Sequence, residues 1–381
     1  MTFLFVFFTI WGFKISVLDL SILVPLIILI IKGHYQIPPK ALFLSIIGLS
    51  IIAYQIIIQV VYTNFDFVAV GRLIRALLNL VFIGMFLHNM ANNKMKDVYH
   101  CLILVLLCNS ILVIVSAFVV DISYYLSFLT GNDRYKLLRS SGLASGFDFA
   151  GFGALAGLIL VYFNPFKSIS FYKQLAFYLL FIVSTLFMSR VSMALGIAIG
   201  GWAIASLPFN REVPKALKLI IIITVAPLAY LVIDYFILIV KVTYGLAEVS
   251  NTIVERYASQ SKGALGWEYM FFLPSTLNEI VWGTGQETLE SDVGYIKDIF
   301  RFGIVGVLVV LIFHILPFIV SEPNKPLKRI SICILGLLIL LSFKNNYFLA
   351  RTSFPIFIFT IMLFLNYKVR NETTLLNSIR E

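Results

Sequence analysis

Charge is what this chain has least of. Asp, Glu, Lys and Arg make up 13% of its 381 residues, about half the share usual in soluble domains. Hydrophobic residues make up 60%, and mean hydropathy is +0.97. That excludes an ordinary soluble globule. Cysteine is nearly absent as well. Cys101, Cys108 and Cys333 each fall inside an apolar run, which argues against a disulfide framework and against a cysteine metal site. Of the four histidines, His34, His88 and His100 map to one set of loops and helix ends, and His314 lies deep in an apolar run. There is no H-E-x-x-H, no G-x-x-x-x-G-K-[ST] and no G-x-S-x-G, so zinc-protease, P-loop and serine-hydrolase chemistry have no motif to rest on. Glu290 and Asp292 form an acid-x-acid pair without a third ligand. No metal and no cofactor are expected.

What the chain does have is apolar length. Runs at about 3–13, 15–31, 41–62, 67–90, 98–120, 147–163, 174–189, 191–207, 219–239, 299–320, 330–346 and 352–367 read as helices. Helices are the default in lipid, where each backbone polar group needs a partner within its own segment. A membrane β-barrel would alternate apolar and polar residues, and these runs do not. The expected fold is therefore all-α: a polytopic transmembrane helix bundle of about 12 spans forming a single integral membrane domain over residues 1–381. The opening "MTFLFVFFTIWGF" lacks a basic start and a small-residue cleavage site, so it reads as a retained span. Residues 1–31 are short for a two-helix hairpin, and 11 spans is the alternative.

Lysine and arginine set the orientation. "KGHYQIPPK", "NNKMKD", "NPFKSISFYK", "PFNREVPKALK", "SEPNKPLKR" and the tail "YKVRNETTLLNSIRE" together hold 15 basic residues against five acids. The rest of the chain holds 14 of each. The net charge of +10 is thus an excess on one side, expected to be cytoplasmic. It is a topology signal and implies no nucleic-acid partner. Both termini are expected inside. Residues 240–297 should form a large external loop whose aromatic residues and amphipathic stretches predict short helices over the membrane face. A second external segment, 121–146, carries "NDRYKLLRSSG".

Eight arginines fall outside the basic set: Arg72, Arg75, Arg134, Arg139, Arg190, Arg256, Arg301 and Arg351. Arg72 and Arg75 stand three apart in "FVAVGRLIRALLNL", on one helix face. Ionisable groups at that depth are costly and usually face a polar cavity, although long cations also snorkel to headgroups. Arginine's planar fork matches phosphate oxygens at two points and keeps its charge at any relevant pH. Several arginines on one side of a membrane suggest a site for a phosphate-bearing lipid. Among acids, Asp292, Glu290, Asp148, Asp234, Glu255 and Glu268 are the candidates to meet such a site. Asp292 stands at the mouth of a span, where it either takes a proton from a hydroxyl or caps the helix. Trp267, Trp282 and Tyr295 either stack on sugar faces or pack the loop onto the interface. Glycines four apart, Gly153/Gly157 and Gly196/Gly200, predict close helix–helix approach.

Three stretches resemble the O-antigen polymerase and ligase superfamily. "FMSRVSMALGIAIGG" is similar to its Ser-Arg-small span, and "RSSGLASGFDFAGFGALAGL" to its Arg-x-x-Gly lead into a Gly-rich helix. "VWGTGQETLESDVGYIKDIFRFGIVG" is similar to its C-terminal Gly-x-Gly turn followed by a Tyr and a Gly-x-x-Gly helix start. The resemblance covers roughly residues 135–320. Ligases carry a His before the Tyr helix. Here that region reads Ser291-Asp292-Val293-Gly294-Tyr295, which points to the polymerase (Wzy-type) branch. The resemblance implies an undecaprenyl-pyrophosphate-linked oligosaccharide as substrate and transfer of the growing chain onto a new repeat at the periplasmic face of a bacterial inner membrane. A chain-length regulator is the implied protein partner. On that reading Arg139 and Arg190 are catalytic with Asp292, and Arg72, Arg75, Arg256, Arg301 and Arg351 bind the diphosphate. Trp267, Trp282 and Tyr295 bind sugar. A ligase is the first alternative. A lipid-linked oligosaccharide flippase is the second, but it should show internal repeats and short loops on both faces.

Overall fold

A computed structural model describes residues 1–11, 14–15, 18–63, 65–88, 90, 92–130, 140–144, 146–206, 271–288, 291, 293–320 and 325–366. They form a helical membrane protein. In chain order the elements are α1 (Thr2–Trp11), a two-residue antiparallel pair β1 (Lys14–Ile15) and β2 (Leu18–Asp19), α2 (Leu20–Lys32), α3 (Pro39–Val61), α4 (Phe67–His88), α5 (Asn92–Phe118) and α6 (Val120–Thr130). There follow α7 (Phe147–Phe163), α8 (Phe171–Leu186), α9 (Arg190–Ser206), α10 (Leu277–Trp282), α11 (Gly294–Val320), α12 (Lys325–Leu341) and α13 (Ser353–Asn366). The expected run 219–239 and most of the expected loop 240–297 lie outside the described residues. Each of the other runs overlaps a helix, with ends shifted by up to six residues, and the run 15–31 begins on β1 and β2. Four of them, α3, α4, α5 and α11, are long and apolar enough to cross a membrane.

The helix ends follow their residues. Asp19 caps α2, accepting from the Ser21 amide at 3.0 Å. Gly33, at φ 66°, closes α2 with its amide on the Ile30 carbonyl, and His34 N reaches Leu29 O. Pro39 opens α3, where the missing N–H costs nothing. Thr276 and Glu279 form a reciprocal capping box that starts α10.

α7 and α13 are buried on nearly all sides, from Ala150 to Val161 and from Ser353 to Phe364. A helix apolar all round belongs in the middle of a bundle, and α7 packs against α5, α8, α9, α12 and α13. Small residues permit that crowding. A Cβ at Gly157 would strike the Phe181 ring, and one at Gly196 would strike Thr185.

α11 is two rods with a joint. Gly303 has φ 65° and ψ 178°, inside an otherwise helical segment. Only glycine tolerates that region without strain. The backbone just after α10 lies across the joint. A Cβ on Gly283 (φ 85°) would come within 2.5 Å of Gly303 N, and a Cβ on Gly303 would meet the backbone of Val281 to Gly283. The broken helix leaves carbonyls to satisfy, and they are satisfied. Thr284 N and Oγ1 donate to Phe300 O at 2.6 and 2.9 Å. The Tyr54 hydroxyl of α3 reaches Phe302 O and Trp282 O at 2.9 and 2.8 Å. Gln55 and Gln59 of α3 both donate to Gly285 O, at 2.7 and 3.2 Å. Residues 282–285 are thereby fixed across the bundle, and Glu287 projects from their end.

Candidate functional site

The fold brings four of the predicted arginines to one cavity of about 320 Å³. Arg72 and Arg75 come from the first half of α4, Arg301 from the upper rod of α11, and Arg351 from the 342–352 connection between α12 and α13. Glu287, Phe149, Asn345 and Asn346 also line it. The connection sits close because Gly294 has no side chain. A Cβ there would collide with the Asn345 and Ser342 carbonyls.

Two carboxylates hold the arginines in place. Glu287 accepts from Arg72 Nη1 at 3.0 Å and from Arg301 Nη2, and Lys297 Nζ stands 3.7 Å away. Asp19 accepts from Arg351 Nη2 at 3.1 Å and from Arg75 Nη1 at 3.4 Å. Asp298, buried behind the cavity wall, accepts from Asn346 Nδ2. Among the described residues five cations (Arg72, Arg75, Lys297, Arg301, Arg351) face three carboxylates (Asp19, Glu287, Asp298), an excess of at least two positive charges in that set. Burial pushes the Arg351 guanidinium down, and Asp19 offsets this by charge and hydrogen bond. Arg301 is only 4% exposed, and Arg72 is 46% exposed. The guanidiniums therefore run from the wall of the cavity to its lip. Unmatched positive charge in a partly dry site is expensive to hold and favours an anion that brings its own oxygens.

The Nε atoms of Arg301 and Arg351 and Oδ1 of Asn346 are buried without a hydrogen-bond partner among the described residues. Buried polar atoms are nearly always paired, and these three belong to residues that line the cavity, each atom itself being closed to a water-sized probe.

Of the other predicted residues, the described ones do not line this cavity. The Tyr295 hydroxyl bonds Ile339 O and its ring packs on Phe343. Trp282 is exposed on α10 and does not line the cavity. Arg301 pairs with Glu287. Asp148, one of the candidate acids, pairs with Lys344 at 3.0 Å beside Phe149. Asp292, Arg139, Arg256 and Trp267 lie outside the described residues, as do Arg134, Asp234, Glu255, Glu268 and Glu290. Arg190 opens α9, but its side chain is outside them too. Ser140 N donates to Phe187 O at 2.9 Å, joining the 140–144 segment to the α8–α9 turn.

Sequence reasoning missed Glu287 and Asp19. Asp19 carried a usable signal, because a lone acid inside the run 15–31 is costly unless paired. Glu287 had a weaker one, two residues after the Gly-x-Gly turn. No protein-family profile, no curated protein and no solved structure matches the chain.

Proposed function

We propose that this chain is a polysaccharide polymerase of the O-antigen type, a membrane glycosyltransferase using a polyprenyl-diphosphate-linked oligosaccharide. The observation that carries the reading is the convergence of Arg72, Arg75, Arg301 and Arg351 on one cavity with a surplus of positive charge. In the proposed reaction a sugar hydroxyl of the incoming repeat attacks the anomeric carbon of the growing chain. The new C–O bond forms as the bond from that carbon to the diphosphate oxygen breaks, and the electron pair leaves with the diphosphate. Fixed cations stabilise the charge that grows there, a contribution of several kcal/mol in a preorganised site. The hydroxyl's proton goes to a carboxylate, for which Asp292 is the proposed base. Arg139 and Arg190 are proposed to complete the diphosphate site, and Arg256, Trp267 and Trp282 to meet the substrate from the 240–297 loop. Twelve spans, a cytoplasmic basic face and a periplasmic cavity in the bacterial inner membrane belong to the same proposal. So does a chain-length regulator as partner.

The test is a deletion strain complemented with the gene, read as lipopolysaccharide banding on a gel. Loss of the polymerase leaves a single repeat on the core. Bare core with polymer stranded on its lipid would instead identify a ligase, and bare core with no polymer a flippase. Within the polymerase outcome, Asp292→Asn should shorten the ladder severely at normal protein level. A helix cap predicts a near-normal ladder, since Asn and Asp cap about equally well.

A further inference from the structure

We propose that Phe149 is the sugar platform of the arginine cavity, the ring on which the hexose bonded to the diphosphate stacks. The inference rests on the polymerase reading and names the residue that meets the donor sugar.

The cavity has walls of two kinds. Arg72, Arg75, Arg301 and Arg351 bring charge to it, and Phe149 is the one aromatic residue among the described residues that lines it. Phe149 stands in the first turn of α7, directly before the stretch from Ala150 to Val161 that is buried on nearly all sides. It is itself only half-buried, so part of its surface stays open on the cavity. Long side chains on a helix lean toward its N-terminus, and a Cβ at Gly146 would touch Phe149 Cδ2 at 3.5 Å. The ring therefore leans over the entry to α7. It is held there from two sides. The buried Tyr347 packs at an angle against it, with ring centroids 5.2 Å apart and planes at 60°. Asp148, the residue before it, accepts from Lys344 Nζ at 3.0 Å and ties the start of α7 to the 342–352 connection.

A pyranose carries hydroxyls around its rim and C–H groups on its faces. Those C–H groups are slightly positive, and the face of an aromatic ring is negative. A braced ring beside fixed cations suits a ligand whose two halves differ in the same way, an anionic diphosphate and a sugar with an apolar face. A ligand of phosphate alone makes no use of Phe149, because it covers no apolar surface. An apolar ring left open in a charged, wet cavity forgoes hydrophobic free energy that a stacked sugar face restores. A cavity of about 320 Å³ falls within the size range of small-ligand sites. Phe149 is then a binding residue for the donor sugar, the part that Trp282 and Tyr295 cannot play in this cavity because neither lines it.

The experiment uses the full-length protein in nanodiscs and probes of equal charge. One is butyl methyl diphosphate. The others carry glucose, galactose, N-acetylglucosamine or N-acetylgalactosamine in place of the methyl group. Binding is measured by calorimetry. In the wild type at least one sugar probe should bind about fivefold more tightly than the methyl probe, the gain from covering roughly 40 Å² of apolar surface. Phe149→Leu keeps apolar bulk for the fold but has no flat, negative face. It should lose most of the sugar gain and hold methyl-probe affinity within about twofold of wild type. Phe149→Tyr keeps the face and should keep the gain. A merely structural role for Phe149 predicts instead that Phe149→Leu weakens methyl and sugar probes by the same factor. That result overturns the proposal and leaves the diphosphate reading standing. So does a sugar gain that survives Phe149→Leu in full, a gain lost as completely in Phe149→Tyr, or a wild type that binds the methyl probe and gains nothing from any of the four sugars. A methyl probe that fails to bind, or that binds Arg351→Ala as tightly as wild type, overturns the diphosphate reading, and this inference falls with it.

Discussion

The two ends of the bundle are both basic, and they use their cations differently. At one end lysines lie beside helix ends. Lys40 Nζ donates to Leu365 O at 2.9 Å, Lys328 Nζ to Phe318 O at 3.2 Å, and Lys32 sits over the Phe86 ring. Lys40 and Lys328 are single point charges on carbonyls in the last turn of a helix, where the dipole already favours a cation. At the other end the cations are mostly arginines, two to each carboxylate, packed around a cavity. The first arrangement needs only helix ends. The second holds, among the described residues, more positive charge than it neutralises, which helix ends alone do not require. Type of cation, depth and pairing separate the two uses where net charge does not.

The sharpest way to break this contrast is to remove one cation from each end. Arg301→Met takes from Glu287 its most buried partner and leaves it Arg72 and Lys297, and losing one partner of a buried ion pair costs up to about 3–5 kcal/mol. The expected outcome is a markedly lowered thermal midpoint in detergent and no polymer ladder. Lys328→Met should stay within about 0.5 kcal/mol of wild type. Equal losses at both ends would erase the distinction.

Glycines provide the next contrast. Gly303→Ala forces a side chain into positive φ, at about 1–3 kcal/mol, and against the backbone after α10. Destabilisation of at least that size is expected, with loss of the ladder because Glu287 is carried on the displaced segment. Gly336 of α12 has open space around it. Gly336→Ala should be neutral or stabilising by up to about 1 kcal/mol. Unfolding midpoints of the two variants, measured side by side, decide whether the joint carries the strain assigned to it.

The smallest effect on the fold is expected at the lip. Arg72 is 46% exposed, and an exposed ion pair contributes about 0–1 kcal/mol. Arg72→Lys should therefore fold normally. It should still shorten the ladder, because a lysine cannot make the two-point contact with phosphate. A normal ladder from Arg72→Lys would mean that charge alone matters at this position.

Most of the bundle was legible because lipid enforces it. An apolar run long enough to span has few choices besides a helix, and the runs at 41–62 and 67–90 became α3 and α4 with shifts of a residue or two at their ends. The arginines were legible too, since a charge in an apolar run needs a reason. The counter-ions were harder. Glu287 reaches its site only because Gly283 crosses Gly303 and two glutamines of α3 hold Gly285, and no local pattern encodes a crossing between distant segments. The 342–352 connection was half legible. Arg351 stood out as a charge between two runs, but "SFKNN" fell inside the apolar run 330–346, whereas the helix ends at Leu341 and Asn345 and Asn346 line the cavity. The aromatic candidates Tyr295 and Trp282 were hard to place for the opposite reason. An aromatic at a membrane face suits sugar and packing alike, and the fold puts neither ring on the cavity.

The Asp19–Arg351 pair joins residues 332 positions apart. During synthesis Asp19 leaves the ribosome early, and its last partner follows roughly 15–65 s later at usual translation speeds. Arg75 arrives soon enough to shield Asp19 in the interval, but Arg351 has no other ion-pair partner among the described residues. The charge cluster is therefore complete only once residue 351 has been made. A chain cut short before that point has the Glu287 pairs but leaves Asp19 without one of its two guanidinium partners.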